Sequence, residues 1–379
     1  MVTADSGPAQ DGLADLAQVW QFTRGAGQRV AVIDTGVSRH RRLPDVVPGG
    51  DYVFTGDGTQ DCDAHGTLVA GIIAAAPGVG SSSGVAPDVT LISIRQSSGK
   101  FAPVSDRSST GVGDVDTMAK AVRTAADLGA SVINISSVAC VPVASMLDDR
   151  ALGAALAYAV DIKNAVVVAA AGNTGGAGQC PPQRSDVTWD TVTVAVSPAW
   201  YDDYVLTVGS VNAQGAPSAF TLAGPWVDVA ANGEAVTSLG SAPQSGTSYA
   251  APVVSGLAAL IRARFPALSA RQVMQRIEST AHHPPAGWDP FVGNGTVDAL
   301  AAISTDSTPP GNTSKPDPAP VPISTSPPPG PPDRHAQYTA LRGAGICLVM
   351  LIAALATGVA RTQLQGRLRR LGRDSVPGD

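Results

Sequence analysis

Apolar residues fall in short unbroken runs along this chain, at Val30–Ile33, Val89–Ile94, Val132–Ile135, Val166–Ala170 and Val205–Val208. Unbroken runs, as opposed to alternating ones, predict strands buried on both faces, as in a parallel sheet. Between several of them lie helical patterns, Asp114–Leu128 and Met146–Val160, and the alanine-rich Leu68–Ala76 and the run Tyr249–Phe265 read as helices too. Strands alternating with helices imply an α/β fold with a parallel sheet covered on both sides. At 379 residues, 44% hydrophobic but only 4% aromatic, the chain can bury one large core plus appendages. Its excess of Ala, Val and Gly suits tightly packed layers.

The pattern changes after Ile303. Thr308 to Asp333 is crowded with proline, Ser, Thr and Gly and has almost no apolar side chains, so it reads as a semi-rigid, polyproline-like spacer. Gly343–Ala360 follows without a charge. At 1.5 Å per residue it spans roughly 27 Å, enough for a thin hydrocarbon core, and it is expected to cross a membrane. Five arginines lie just beyond (Arg361, Arg367, Arg369, Arg370, Arg373), which by the positive-inside rule places the tail in the cytoplasm and the folded domain outside. The organisation expected is 1–17 as a short N-terminal remnant, 18–303 as the folded domain, 304–340 as linker, 341–360 as transmembrane helix and 361–379 as basic tail. Met1–Leu16 carries Asp5, Asp11 and Asp15, with no basic residue or apolar stretch of signal-peptide type. Two resolutions of this conflict are open, a start lying upstream or a tail-anchored internal domain, and the arginine tail and the cysteines favour the first.

Three motifs carry the chemistry: Val32-Ile33-Asp34-Thr35-Gly36, Asp63-Ala64-His65-Gly66-Thr67 and Ser245-Gly246-Thr247-Ser248-Tyr249-Ala250-Ala251-Pro252. A serine hydroxyl is a poor nucleophile until a hydrogen-bonded base removes its proton. His65 is the expected base for Ser248, and Asp34, at the carboxyl end of a predicted strand, the carboxylate that fixes its tautomer. Ser248 opens a predicted helix, whose N–H groups favour developing negative charge. Asn173, in Ala169-Ala170-Ala171-Gly172-Asn173, is the expected second oxyanion donor. An α/β-hydrolase elbow is set aside, because Ala250 stands where its second glycine belongs and the residue order differs. His40, His282, His283 and His335 lie in loop-like text and read as surface residues.

Of four cysteines, Cys347 lies in the apolar span. Cys140 and Cys180 each follow a predicted central strand at its carboxyl end and can meet in a disulfide, which suits an oxidising compartment. Cys62 is then left unpaired near His65. A net charge of −6, with no basic stripe or phosphate loop, argues against nucleic-acid binding. No acidic loop with calcium-ligand spacing is present, so neither a metal nor another cofactor is expected.

Over most of residues 18–303 the motifs resemble the subtilisin-like serine proteases, in their Asp, His, Ser order. Gln60-Asp61-Cys62-Asp63-Ala64-His65-Gly66-Thr67, Ile94-Arg95-Gln96-Ser97-Ser98, Val132-Ile133-Asn134-Ile135-Ser136 with Ala139-Cys140, the proline linker, the span and the short basic tail are together similar to the mycosins, membrane-anchored proteases of type VII secretion systems. The resemblance implies a three-layer fold, a domain facing the cell-envelope space, association with a type VII secretion membrane complex and limited cleavage of secreted protein or peptide substrates. It also implies a role in the complex apart from proteolysis, so a largely structural subunit is the alternative. Ser136, Ser137 and Val138, with Ala170, Ala171 and Gly172, are implied to flank the substrate as added strands. Val138 stands where subtilisins place a glycine, which predicts a narrower cleft and restricted specificity. Mycosins usually begin with a signal peptide and an extension that carries a cysteine, and this accounts for the lone Cys62.

Overall fold

The computed structural model describes residues 16–304 apart from 45, 79–81, 103–110, 146 and 177. The expected linker, span and tail, with His335 and Cys347, lie outside the described residues. In chain order the elements are α1 (Leu16–Val19), β1 (Arg29–Asp34), β2 (Val46–Asp51), α2 (His65–Ala74), β3 (Thr90–Arg95), α3 (Val115–Asp127), β4 (Val132–Ile135), β5 (Ala139–Pro142), α4 (Arg150–Ala157), β6 (Val166–Ala170), β7 (Val194–Ser197), β8 (Val205–Val211), β9 (Val229–Asn232), α5 (Thr247–Arg264), α6 (Ala270–Ser279) and α7 (Ala299–Ser304).

Seven strands form one sheet in the order β2-β3-β1-β4-β6-β8-β9, and every pairing in it is parallel. The runs read as strands are its centre, and their side chains are almost wholly buried. Both α3 and α5 pack on β1 and β4 yet share no substantial contact with each other, so they cover opposite faces. α2 joins α5 on one side and α4 joins α3 on the other. The result is the three-layer α/β arrangement expected.

The chain leaves β1 for the β2 edge and afterwards steps the other way across the sheet. Winding therefore reverses at β1. In open α/β sheets the crevice outside the strands' carboxyl ends at such a reversal is where ligands bind, and Asp34 is the last residue of β1.

Local chemistry sets several boundaries. α3 begins at a capping box in which Asp114 accepts from Thr117 N, and α6 at one formed by Ser269 and Gln272. The helix expected from Met146 starts only at Arg150, with Asp149 as the residue before it, its side chain bonded to Ser197 at the end of β7 and to Tyr201 beyond it. β2 escaped the hydrophobic pattern because Val46-Val47-Pro48-Gly49-Gly50-Asp51 contains a proline and a register shift, both at home on a sheet edge. β5 and β7 form a separate antiparallel pair. Cys140 sits inside β5, just beyond the carboxyl end of β4. Among the described residues no helix is long and apolar enough to cross a membrane.

Candidate active site

Asp34 is fully buried, and His65 opens α2 immediately beside it. His65 Nδ1 lies 2.7 Å from Asp34 Oδ1. A carboxylate can only accept, so Nδ1 carries the proton and Nε2 is left as the basic nitrogen. Asp34 Oδ1 also accepts from Thr35 N at 2.7 Å, whereas Oδ2 is buried with no hydrogen-bond partner among the described residues. The two glycines of the motifs make this approach possible. A Cβ on Gly66 would stand 2.2 Å from the Gly36 carbonyl and 3.0 Å from Asp34 Cβ. One on Gly36, at φ +99°, would stand 2.1 Å from the Gln60 carbonyl.

Asp61 binds the two motifs together. It accepts from Thr35 Oγ1, Asp63 N, Ala64 N, Thr67 N and Thr67 Oγ1, all between 2.6 and 3.0 Å. Thr35 Oγ1 in turn accepts from Gly66 N at 2.9 Å. Ala64, the residue before α2, is left-handed and supplies no side-chain cap, so Asp61 takes over that duty. Sequence reading gave Asp61 no role. The available signal was a carboxylate a few residues ahead of a helix start, flanked by two threonines able to donate to it.

Burial works against a charged imidazolium at His65. The charge and hydrogen bond of Asp34, with the further charges of Asp61 and Asp63, outweigh it, so the His65 pKa stands above its ordinary 6.5. The imidazole ring packs at 5.3 Å, centroid to centroid, from that of Tyr249. That contact sets His65 beside the first turn of α5.

Ser248 is the second residue of α5 and is buried to 8% exposure. Pro252, inside the helix, has no N–H for the Ser248 carbonyl four residues back. Ser136 fills the gap, its Oγ donating to that carbonyl at 3.0 Å. Asn134 Nδ2 donates to Ser136 Oγ, and Ser255 Oγ donates to Asn134 Oδ1, both at 2.9 Å. A satisfied buried network thus ties β4 to the nucleophile's helix. The Ser136 side chain is thus engaged with Ser248 and Asn134.

Asn173 follows β6. Its Oδ1 accepts from Thr247 N at 2.9 Å and Thr247 Oγ1 at 3.1 Å, which fixes the amide and directs Nδ2 elsewhere. A Cβ on Gly246 would lie 3.1 Å from Ser248 Oγ and 3.3 Å from Asn173 Nδ2, so hydroxyl and amide border one gap that glycine leaves open. The Ser248 N–H belongs to the first helical turn and has no intrahelical acceptor. Ala170 and Ala171 are buried, and Gly172 N donates to Thr247 Oγ1 at 3.2 Å. Cys140 and Cys180 form a disulfide across 40 residues, and a Cβ on Gly172 would meet Cys180 Sγ at 3.0 Å. The bridge therefore underlies the Asn173 loop.

A cavity of about 260 Å³ opens between Gln96–Gly99, Val112–Val115 and Met118 on one wall and Ser137–Ala139, Leu152, Ser197 and Pro198 on the other. Asp63 anchors the first wall, accepting from Ser98 Oγ at 2.5 Å and Gly99 N at 2.9 Å. The second wall continues directly from Ser136. Val138 lines the cavity. Cys62 is exposed with a free thiol, and His282 and His40 lie away from these residues, His282 facing Asp298 at 3.3 Å and His40 Nδ1 accepting from Arg42 N. Among the described residues no group of three or more His, Cys, Asp or Glu is arranged to hold a metal.

A parallel sheet with an aspartate, a histidine and a serine gathered at its carboxyl edge is the build of a subtilisin-like serine endopeptidase. The model of the Subtilase family matches residues 25–295, and the chain belongs to that family. It is 74% identical over its full length to Mycosin-4 of Mycobacterium tuberculosis (strain ATCC 25618 / H37Rv), of which it spans 87%. Among solved structures it is similar to the MycP3 protease from the type VII (ESX-3) secretion system, at 46% identity and a TM-score of 0.73 over 79% of this chain and 88% of that one. A chain of the intact ESX-5 inner membrane complex matches at 40% identity and a TM-score of 0.74, over 95% of this chain and 92% of that one. The mycosin resemblance read from the motifs is borne out by these matches.

Proposed function

We propose that the chain is a membrane-anchored serine endopeptidase whose catalytic domain faces the extracytoplasmic space, working with a type VII secretion complex on secreted protein or peptide substrates. The observation that carries the chemistry is the 2.7 Å bond between His65 Nδ1 and Asp34 Oδ1, which leaves Nε2 basic next to the turn that bears Ser248. Ser248 Oγ attacks the scissile carbonyl while His65 Nε2 takes its proton. Asp34 holds the imidazole in that tautomer and stabilises the imidazolium. The oxyanion is met by Asn173 Nδ2 and the Ser248 N–H. His65 then protonates the leaving amine, and water resolves the acyl-enzyme by the same route in reverse. Ser137 and Val138 on one side and Ala170–Gly172 on the other offer backbone groups to an extended substrate.

Association with a secretion complex rests on the similarity to the ESX-5 inner membrane complex chain, and anchoring on the apolar run Gly343–Ala360. An intact, hydrogen-bonded Asp–His pair favours the protease over the purely structural alternative.

The test is labelling of intact cells with a serine-reactive fluorophosphonate that cannot cross the membrane, wild type against Ser248→Ala. Labelling in wild type and none in the variant is expected. Ser248-dependent labelling seen only after lysis would overturn the topology, and labelling indifferent to Ser248 the catalytic assignment.

A further inference from the structure

Asp149 is a carboxylate at 4% exposure that plays no part in the chemistry above. Three neutral donors surround it. Its Oδ2 accepts from Ser197 Oγ at 2.6 Å and Trp200 Nε1 at 3.0 Å, and its Oδ1 from the Tyr201 hydroxyl at 2.8 Å. Its main-chain carbonyl starts α4, accepting from Leu152 N and Gly153 N at 2.9 and 3.0 Å. Gly153 gives the tyrosine room, since a Cβ there would lie 2.5 Å from Tyr201 Cε1. Burial and the Asp149 carboxylate both push the Tyr201 pKa up, so its hydroxyl remains a donor.

The donors come from one short stretch, Ser197–Tyr201, which begins as the last residue of β7. β7 pairs with β5 in the register Ala139↔Ser197. Ala139, Leu152, Ser197 and Pro198 are the residues of the second cavity wall beyond Val138. The Asp149 carboxylate is bonded to Ser197, which pairs with Ala139 and precedes Pro198, while its main-chain carbonyl holds Leu152 N at the start of α4. A buried carboxylate with several good donors is a rigid joint, because releasing any one donor leaves a buried polar group unpaired.

We propose that Asp149 is a positioning residue for substrate, fixing the wall of the cleft formed by β5, β7 and the start of α4, so that it governs binding of the extended part of a peptide and not the acyl-transfer step. The inference rests on the proposed protease activity. It predicts a split between long and short ligands. Asp149→Asn keeps the shape but leaves one accepting oxygen. With that oxygen on Ser197 and Trp200, the amide NH2 faces the Tyr201 hydroxyl, which keeps only the Asp149 main-chain carbonyl as acceptor at 3.0 Å, and a charged joint becomes a neutral one. The substitution should raise KM for an extended peptide on the order of tenfold, with kcat little changed. The rate of fluorophosphonate labelling, which needs only Ser248 and its neighbours, should stay within about twofold of wild type.

Tyr201→Phe and Trp200→Phe, each removing a single donor, should show the same split to a smaller degree. Combined with Asp149→Asn they should add little, as members of one network. Each enzyme is counted by active-site titration, so that misfolded molecules drop out. A loss confined to the active fraction, with KM unchanged in the folded molecules, would overturn the proposal, as would equal losses in labelling and peptide cleavage. If Asp149→Asn fails to fold, the two single-donor variants decide by the same criterion. Absence of Ser248-dependent labelling in wild type would instead overturn the protease reading itself.

Discussion

The Asp34–His65 half of the site and the Asn173–Ser248 half meet at the same sheet edge but are held by different forces. The first is charged. Asp34, Asp61 and Asp63 surround one histidine, Asp61 alone receives five hydrogen bonds, and a pKa is moved as a result. The second is neutral, built from an amide, two hydroxyls, helix N–H groups and a disulfide beneath them. Each material fits its task. A base must have its protonation state tuned, which needs nearby charge, whereas an oxyanion is a charge that appears only briefly and is best met by fixed dipoles that do not reorganise. Substitutions in the two halves should therefore fail in different ways.

The largest departure is expected for Asp34→Asn. The neutral side chain favours the wrong tautomer and should lower kcat by about 10⁴-fold. It should also shift the pH profile. Catalysis needs neutral His65, so wild-type kcat/KM should fall as pH drops through a midpoint above 6.5, and removing the Asp34 charge should move that midpoint down. A profile that stays in place would mean that Asp34 does not set the pKa.

Asn173→Asp is the matching change in the neutral half. It keeps the acceptor for Thr247 but replaces the Nδ2 donor by a carboxylate oxygen. The expectation is a fall in kcat of about 10² to 10³-fold. KM should change little, since the donor acts on charge that exists only at the transition state. A change carried mainly by KM would argue that Asn173 binds ground-state substrate.

Smaller in its effect on chemistry is the paired change of Cys140 and Cys180 to alanine. By the chain-entropy estimate a loop of 40 residues contributes about 4 kcal/mol, so the denaturation midpoint should fall clearly. Turnover well below that midpoint should persist, though reduced, because Gly172 rests on the bridge. Unchanged stability would contradict a structural role.

The smallest effect is on stability against pH, and its sign opposes that on activity. A folded-state pKa above the unfolded 6.5 means that the folded protein holds the His65 proton more tightly. That contribution is complete below the unfolded value and is lost as pH rises through the folded one. Over the range where activity climbs, stability should slip slightly, and Asp34→Asn should flatten the slip. Chemical denaturation at several pH values would measure both.

The sheet was legible because parallel strands covered on both faces need unbroken apolar runs, and Val132–Ile135 and Val166–Ala170 were read with their true ends. The motif residues were legible because Asp34, His65, Asn173 and Ser248 each sit at a strand or helix end with small neighbours. β2 was not, since an edge strand tolerates proline and glycine, and neither were β5 and β7, whose short runs pair only with each other. Thr247 and Asp149 were missed because their side-chain partners lie far along the chain, in Asn173 and in Ser197–Tyr201 respectively. Asp61 has local partners in Asp63, Ala64 and Thr67, but only its distant bond to Thr35 shows that it ties two motifs together.

Residue type and periodicity by themselves determined the layer plan and the order of the three chemical motifs, because these follow from local spacing and from what each side chain can do alone. The tertiary structure decided which oxygen of Asp34 meets His65, that Asn173 is oriented by Thr247, that Ser136 stands in for the hydrogen bond Pro252 removes, and that Asp149 joins α4 to the cleft wall. Those are agreements in distance and direction between groups dozens of residues apart. Hydrogen bonds are decided by tenths of an ångström, which only the packed core fixes.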